Sequence, residues 1–135
     1  MINLRDISVS TREIEVVYEG MPNFKITLAY MSRAQSKKVV EASKKGEWVN
    51  GQLVHSQNED LFTESFVKEA IKGWTGLTLG DVEKLMLVDF GDQDPNTPIE
   101  FSIDNAVMLM RESTAFDSFI NRTVFHLDSF RSKTE

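Results

Sequence analysis

The sequence contains no cysteine, and this absence excludes several kinds of protein at once. Without thiols the chain forms no disulfide, no thiolate zinc site and no cysteine nucleophile, and its composition is compatible with a reducing cytoplasm. Its 135 residues are nevertheless enough for one domain that buries a single hydrophobic core without cross-links. We therefore expect a globular protein held together by apolar burial.

Long apolar runs are also missing from the chain. No run approaches the roughly 18 apolar residues that a membrane-spanning helix requires. The first six residues, Met1 to Asp6, lack the charged and then apolar layout of a signal peptide. We expect a soluble, non-exported protein that has no membrane partner.

Basic residues are in the minority. Fifteen lysines and arginines stand against 21 aspartates and glutamates, which gives a formal net charge of −6. General nucleic-acid binders neutralise phosphates with an excess of bases, so no nucleic-acid partner is expected. The excess of acid favours solubility.

Catalytic and ligand-binding motifs are scarce. No serine lies in a Gly-x-Ser-x-Gly elbow, and the glycines do not cluster into a phosphate-binding loop. The two histidines, His55 and His126, have no neighbouring ligand at the spacing of zinc motifs. We predict no catalytic residue and no cofactor.

An acidic segment from Asp89 to Asp104 carries five acids and no base. Asp92, Asp94 and Asn96 have the spacing that opens an EF-hand loop, but the motif's later positions lack its glycine and its bidentate glutamate. Glycine and prolines interrupt any regular structure here. We interpret the segment as a solvated loop and predict no metal site.

Two alternating segments predict an antiparallel hairpin near the N-terminus. Apolar and polar residues alternate over 13–19 and again over 24–30, which is the period of strands with one buried face. Gly20 to Asn23 supply the turn between them. Ile7 and Val9 are candidates for a third strand before the hairpin.

Helical spacing dominates the rest of the chain. Capping signals at Ser32, Thr78, Ser102 and Thr114 mark four predicted helix starts. A further helix is predicted by the apolar spacing of Phe62, Phe66, Val67, Ala70, Ile71 and Trp74. The predicted helices cover Arg33–Lys45, Asn58 or Glu59 to Trp74, a brief turn after Thr78, a segment after Ser102, and Thr114 to about Arg131. Within this part, Asn50-Gly51 favours a type I′ hairpin turn between Trp48-Val49 and Leu53-Val54.

These patterns predict an α+β fold in one domain, residues 1–135. An N-terminal antiparallel β-hairpin, or a three-stranded sheet if Ile7 and Val9 pair with it, occupies residues 1–31. A mainly helical portion of four to five helices follows over residues 32–131, and residues 132–135 form a tail.

Two features leave alternatives open. Lysines crowd around Glu41 on the first long helix, which fits either a solvated face of compensating charges or a basic binding patch. Trp74 fits either a core anchor or, with Met86, Met108 and Met110, an adaptable groove for a partner helix.

The order of these features resembles that of bacteriophage tail assembly chaperones. The resemblance covers residues 24–131 and lies in the segments Leu-Ala-Tyr-Met-Ser-Arg (28–33), Ala-Ile-Lys-Gly-Trp-Thr-Gly-Leu (70–77) and Pro-Ile-Glu-Phe-Ser-Ile-Asp-Asn-Ala (98–106). Paired closing helices follow, as in that family. The loop over Asp92 to Thr97 is longer than the family's Asp-Gly turn.

The resemblance implies a non-enzymatic protein that coats the hydrophobic helices of a tape measure protein until tail tube subunits polymerise around them. It also implies contact with the tail tube protein through a longer, frameshifted form, possible homo-oligomers, and action in the cytoplasm of the infected bacterium rather than in the mature virion. We place the partner-binding surface at Trp74, Met108, Phe116 and Phe119.

Two other classes of function remain as alternatives. The unneutralised acids of Asp89 to Asp104 would suit an inhibitor that mimics DNA and blocks a basic groove on a host protein, although such acids belong in ordered rows on a rigid face. The third and least favoured alternative is a small enzyme built from converging carboxylates.

Overall fold

A computed structural model describes residues 1–131, apart from the side chains of Lys45, Glu47, His55 and Gln57. The predicted tail, residues 132–135, lies outside the described residues. The helices are α1 (Leu4–Ile7), α2 (Arg33–Ala42), α3 (Glu59–Ala70), α4 (Leu79–Val82), α5 (Ile103–Glu112) and α6 (Thr114–Val124), followed by a 3₁₀ turn over Leu127–Phe130. The strands are β1 (Glu13–Val17), β2 (Lys25–Ala29), β3 (Lys44–Val49), β4 (Gln52–Gln57) and β5 (Ile71–Thr75).

The fold is α+β, as predicted, and it begins with the predicted antiparallel hairpin. Strands β1 and β2 pair with Ile14 opposite Leu28 and Val16 opposite Ile26. The β2 members of these pairs are fully buried, whereas the β1 members are half-buried. β1 is therefore the edge strand and β2 the central strand of the sheet.

The third strand of this sheet is β5, and the sheet order is β1-β2-β5. The predicted third strand at Ile7 and Val9 is wrong, because Leu4–Ile7 forms one exposed helical turn capped by Asn3. The second predicted helix is also too long, since α3 ends at Ala70 and the chain continues directly as a strand.

A β-bulge explains why the sequence pattern misled at β5. Thr27 pairs with Gly73 and Leu28 pairs with Ile71, so that Lys72 is the extra residue on β5. A bulge allows residues three apart on one strand to share a face. Ile71 and Trp74 are therefore both buried at a spacing that is also typical of a helix.

Strands β3 and β4 form a separate two-stranded hairpin. Asn50 and Gly51 both have positive φ, at 51° and 78°, as a type I′ turn requires. The predicted hairpin is thus confirmed, and it is longer than expected. Helix α2 ends at Ala42 rather than at Lys45, because the next residues already pair in β3.

The helix caps follow the sequence closely. The side chains of Ser32, Asn58 and Ser102 each accept a backbone hydrogen bond from the first turn of the helix they precede. Thr78 and Asp81 form a complete capping box on α4. The N-cap of α6 is Ser113, one residue before the predicted Thr114.

The core lies between the three-stranded sheet and helices α3, α5 and α6. Its centre is an aromatic cluster in which the ring centroid of Phe24 lies 5.6 Å from that of Tyr18, 5.8 Å from that of Trp74 and 6.4 Å from that of Phe116. One hydrophobic cluster therefore joins the two portions of the chain.

Replacing Trp74 with phenylalanine should destabilise this core. The indole Nε1 of Trp74 donates a hydrogen bond of 2.9 Å to the carbonyl oxygen of Ile99. The substitution leaves that carbonyl without its partner and opens a small cavity, so we expect a loss of about 2 to 3 kcal/mol in the free energy of unfolding. Urea unfolding would measure it, with Trp48→Phe as the matched control, because Trp48 is largely exposed. Equal losses in the two variants would contradict the prediction.

Candidate protein-interaction site

Three of the four predicted partner-binding residues lie in the core. Trp74 is 7% exposed, Phe116 is fully buried, and Phe119 is 8% exposed. Met108 is 48% exposed, but it lies on the side of α5 opposite to the buried Ala106. The four side chains do not form one surface, and the burial of Trp74 agrees with its interpretation as a core anchor.

An apolar groove lies between α3 and α6. Both helices pack against α5, and the space left between them is lined by Phe62 and Phe66 from α3, Met110 from α5, and Asp117 and Asn121 from α6. Phe66 and Met110 are nearly buried, so they form the inner surface of the groove. The groove is apolar inside and polar along its α6 side.

Phe62 and Phe66, which line the groove, form a row of ring contacts with Phe125. The ring centroids of Phe62 and Phe66 are 6.2 Å apart, and those of Phe66 and Phe125 are 6.1 Å apart. Phe62 is 36% exposed and Phe125 is 48% exposed, so both ends of the row face solvent. Exposed aromatic rings beside an apolar groove are typical of protein-binding sites.

The open end of the groove is acidic. Glu59, Thr63 and Asp117 line it together with Phe62. The side-chain amide of Asn121 donates to the backbone oxygen of Asp117 at 2.9 Å and to its Oδ1 at 3.2 Å, which holds this carboxylate at the rim. A ligand with apolar side chains and a neighbouring base would match this arrangement.

The β3–β4 hairpin is a second exposed apolar feature. Trp48 lies opposite Leu53 in the register, so their side chains share one face of the hairpin. Trp48 is 74% exposed and Leu53 is half-exposed. Val49 and Val54 are similarly exposed on the other face, so the rest of the described chain leaves all four of these apolar side chains exposed.

The acidic loop uses some of its carboxylates to stabilise turns. Asp89 Oδ1 accepts a hydrogen bond from the backbone nitrogen of Gly91 at 3.1 Å, and Asp94 Oδ1 accepts one from Asn96 at 2.9 Å. Among the side chains that the structure describes, no three acidic or histidine groups are placed so that they could hold a metal ion. The loop acts here as a connector between α4 and α5.

Shifted pKa values lie outside the groove. Burial raises the pKa of Tyr18 in the aromatic cluster, and the neighbouring Glu19 adds to this effect while Arg122 opposes it. A hydrogen bond from Arg131 lowers the pKa of Asp128 in the exposed 3₁₀ turn. Neither group has the surroundings of a catalytic acid or base in a cleft.

Protein-family models, curated proteins and solved structures show no match to this chain. What the groove can bind therefore follows from its own residues. Among the helices of residues 1–131, none combines the length and apolarity that would be needed to cross a bilayer.

The residues of the groove could be found only in part from the sequence, which contains no signal for Phe125. The spacing of four residues correctly put Phe62 and Phe66 on one side of α3. This spacing does not indicate that α6 leaves Phe62 partly exposed. Phe125 follows the end of α6, where helical periodicity no longer applies.

Proposed function

We propose that the protein is a non-enzymatic tail assembly chaperone, which binds an amphipathic helix of a tape measure protein in the groove between α3 and α6. In this proposal the predicted binding surface moves from the buried Trp74, Phe116 and Phe119 to the aromatic row of Phe62, Phe66 and Phe125. The protein keeps the apolar face of its client covered in the host cytoplasm until tail tube subunits assemble around it.

The single observation that carries the proposal is the spacing of the aromatic row. The two centroid separations of 6.2 and 6.1 Å are close to the rise of about 5.4 Å per turn of an α-helix. Apolar side chains at positions i and i+3 or i+4 of a bound helix would therefore meet neighbouring rings of the row or the space beside them.

The acidic rim supports a client of particular composition. Glu59 and Asp117 at the open end favour a helix that carries lysine or arginine beside its apolar stripe. The excess of acidic residues on the whole chain would keep the complex soluble while the apolar face of the client is covered.

The order of sequence segments supports the tape measure protein as the client. The Trp-containing segment, the acidic loop and the paired closing helices follow one another as they do in tail assembly chaperones. Tail tube subunits would be recruited through a longer form of the protein, as the resemblance implies.

Replacing Phe62 with serine should abolish much of the client binding without unfolding the protein. Phe62 is only partly buried, and truncation of an aromatic anchor at an interface costs about 1.5 to 3 kcal/mol of binding free energy, or roughly 10- to 100-fold in affinity. The measurement is the soluble yield of the tape measure protein when it is co-expressed with either form of the chaperone.

The matched control is Leu87→Ser, because Leu87 is fully exposed in the loop away from the groove. We expect this control to solubilise the client as well as the parent chain does. Unchanged solubilisation by a folded Phe62→Ser variant would exclude the groove as the binding site. Salt-sensitive binding to a basic host nuclease, with no affinity for the tape measure protein, would instead favour the inhibitor alternative.

A further inference from the structure

We propose that the protein forms a two-fold symmetric dimer in which the β3–β4 hairpin of each copy lies in the α3–α6 groove of the other. The proposal rests on the groove of the proposed function but not on the identity of the client. The partner of the hairpin in this proposal is the groove of a second copy of the chain.

The exposed hairpin needs a partner surface. Two-stranded hairpins are marginally stable in water when neither face is packed. Here Trp48 and Leu53 lie on one face and Val49 and Val54 on the other, and all four side chains are at least 43% exposed. Covering one face would remove an indole ring and an aliphatic side chain from water.

The charge distribution identifies a second copy as that partner. Residues 33–45, which comprise α2 and the start of β3, hold five of the fifteen bases and only one of the twenty-one acids. Two of these five bases, Lys44 and Lys45, stand at the base of the hairpin, and the other three belong to α2. Glu59 and Asp117 give the groove the opposite charge, so each copy carries both halves of a complementary pair.

The order of the elements fits a closed dimer rather than an open chain of copies. Strand β4 ends at Gln57, and α3 begins at Glu59, which lines the open end of the groove. Hairpin and groove are therefore neighbours on the same molecule. A surface that contains both the hairpin and the groove can pair with the same surface of a second copy about a two-fold axis. Each contact between hairpin and groove is then made twice.

The dimensions of the two elements also match. Trp48 and Lys44 lie four residues apart on β3, a separation of about 13 Å. The residues of α3 that line the groove run from Glu59 to Phe66, over about 11 Å of helix. Trp48 can therefore lie near one end of the groove while Lys44 lies near the other. Lys44 pairs with Glu41 of its own chain at 3.1 Å, but both side chains are exposed and such pairs exchange at little cost.

Sedimentation velocity of the full chain, between about 1 and 200 µM, tests the proposal. We expect a monomer–dimer equilibrium, and Trp48→Ser should raise the dissociation constant at least tenfold, because large aromatics dominate interface energies. The matched control, Leu87→Ser, should leave the constant unchanged. Circular dichroism would verify that each variant remains folded.

A charge exchange tests the orientation of the hairpin in the groove. Glu59→Lys and Lys44→Glu should each weaken the dimer, because each places like charges opposite one another. An equimolar mixture of the two variants should form mixed dimers, in which one contact keeps the original pair of charges and the other has the two charges exchanged, so that both contacts are attractive. A chain that remains monomeric at all concentrations overturns the proposal. A dimer insensitive to Trp48→Ser and Glu59→Lys overturns it as well.

The proposal and the proposed function can fail separately. A strictly monomeric chain that still solubilises the tape measure protein through Phe62 would overturn the dimer and leave the chaperone function intact. A dimer that is sensitive to both substitutions but has no affinity for the tape measure protein would support the dimer alone. If both hold, the client helix should compete with the hairpin, and added client should dissociate the dimer.

Discussion

Replacing Gly76 with alanine should destabilise the fold more than any other substitution that we propose. Gly76 has a φ of +78°, and a Cβ built at this position would lie 1.6 Å from the carbonyl oxygen of Asn23 and 2.6 Å from its carbonyl carbon. Both atoms belong to the backbone of the turn that leads into β2. They cannot move aside as the end of a flexible side chain would, so the turn and the start of the central strand must shift.

The size of the effect follows from two contributions. The left-handed backbone alone costs a non-glycine residue about 1 to 2 kcal/mol. The clash with Asn23 adds the cost of displacing β2, so we expect a total loss of at least about 4 kcal/mol from a stability of roughly 5 to 15 kcal/mol. Gly20→Ala is the matched control, since Gly20 has nearly the same φ, +80°, and no described atom lies within 4 Å of the added Cβ.

Thermal and urea unfolding of both variants would separate these contributions. Gly20→Ala should lose only the backbone part, about 1 to 2 kcal/mol. If Gly76→Ala loses no more than Gly20→Ala, the close approach of Gly76 to Asn23 is not present in the folded protein.

Replacing Phe116 with alanine should have the second largest effect, a loss of about 3 to 5 kcal/mol in the free energy of unfolding. Phe116 is fully buried, and its ring centroid lies 6.0 Å from that of Tyr18 and 6.5 Å from that of Trp74. The substitution leaves a cavity at the centre of the aromatic cluster, where both the sheet and the helices limit collapse.

Phe125→Ala is the matched control, because Phe125 is half-exposed and should cost only about 1 kcal/mol. Urea unfolding of both variants would measure the difference, and similar losses would contradict the burial of Phe116. The expected result also bears on function. If a Phe116 variant fails to solubilise a client, the cause is the loss of its fold. Only substitutions at exposed positions such as Phe62 can therefore locate the binding surface.

Local chemistry made a large part of the fold predictable from sequence. Ile14 and Val16 alternate with Glu13 and Glu15 because one face of β1 packs on the core, and Asn50-Gly51 adopts the positive φ angles that few other residue pairs allow. Ser32 and Ser102 precede their helices because a hydroxyl oxygen can accept from an otherwise unpaired backbone nitrogen. Signals of this kind depend on neighbours within four residues.

The errors arose where distant contacts decide the structure. Residues 71–75 have helical spacing, yet they pair with β2 because a bulge lets Ile71 and Trp74 face the core together. The groove was missed for a related reason. The sequence shows that Phe62 lies on an apolar helix face, but only the packing of α3 and α6 on α5 shows that this face is not fully covered.

The central position of β2 constrains the order in which the chain can fold. β1 precedes β2 and can pair with it as soon as both strands have been synthesised, but β5 follows some forty residues later. The 3₁₀ turn also returns to this sheet. The ring centroid of Phe130 lies 5.4 Å from that of Tyr30, and the guanidinium of Arg12 donates to the carbonyl oxygen of Phe130. Contacts over such separations require long loops to close and slow folding. On the ribosome, the N-terminal hairpin would therefore emerge with its apolar face uncovered, and the core would close only after residue 130 had been synthesised.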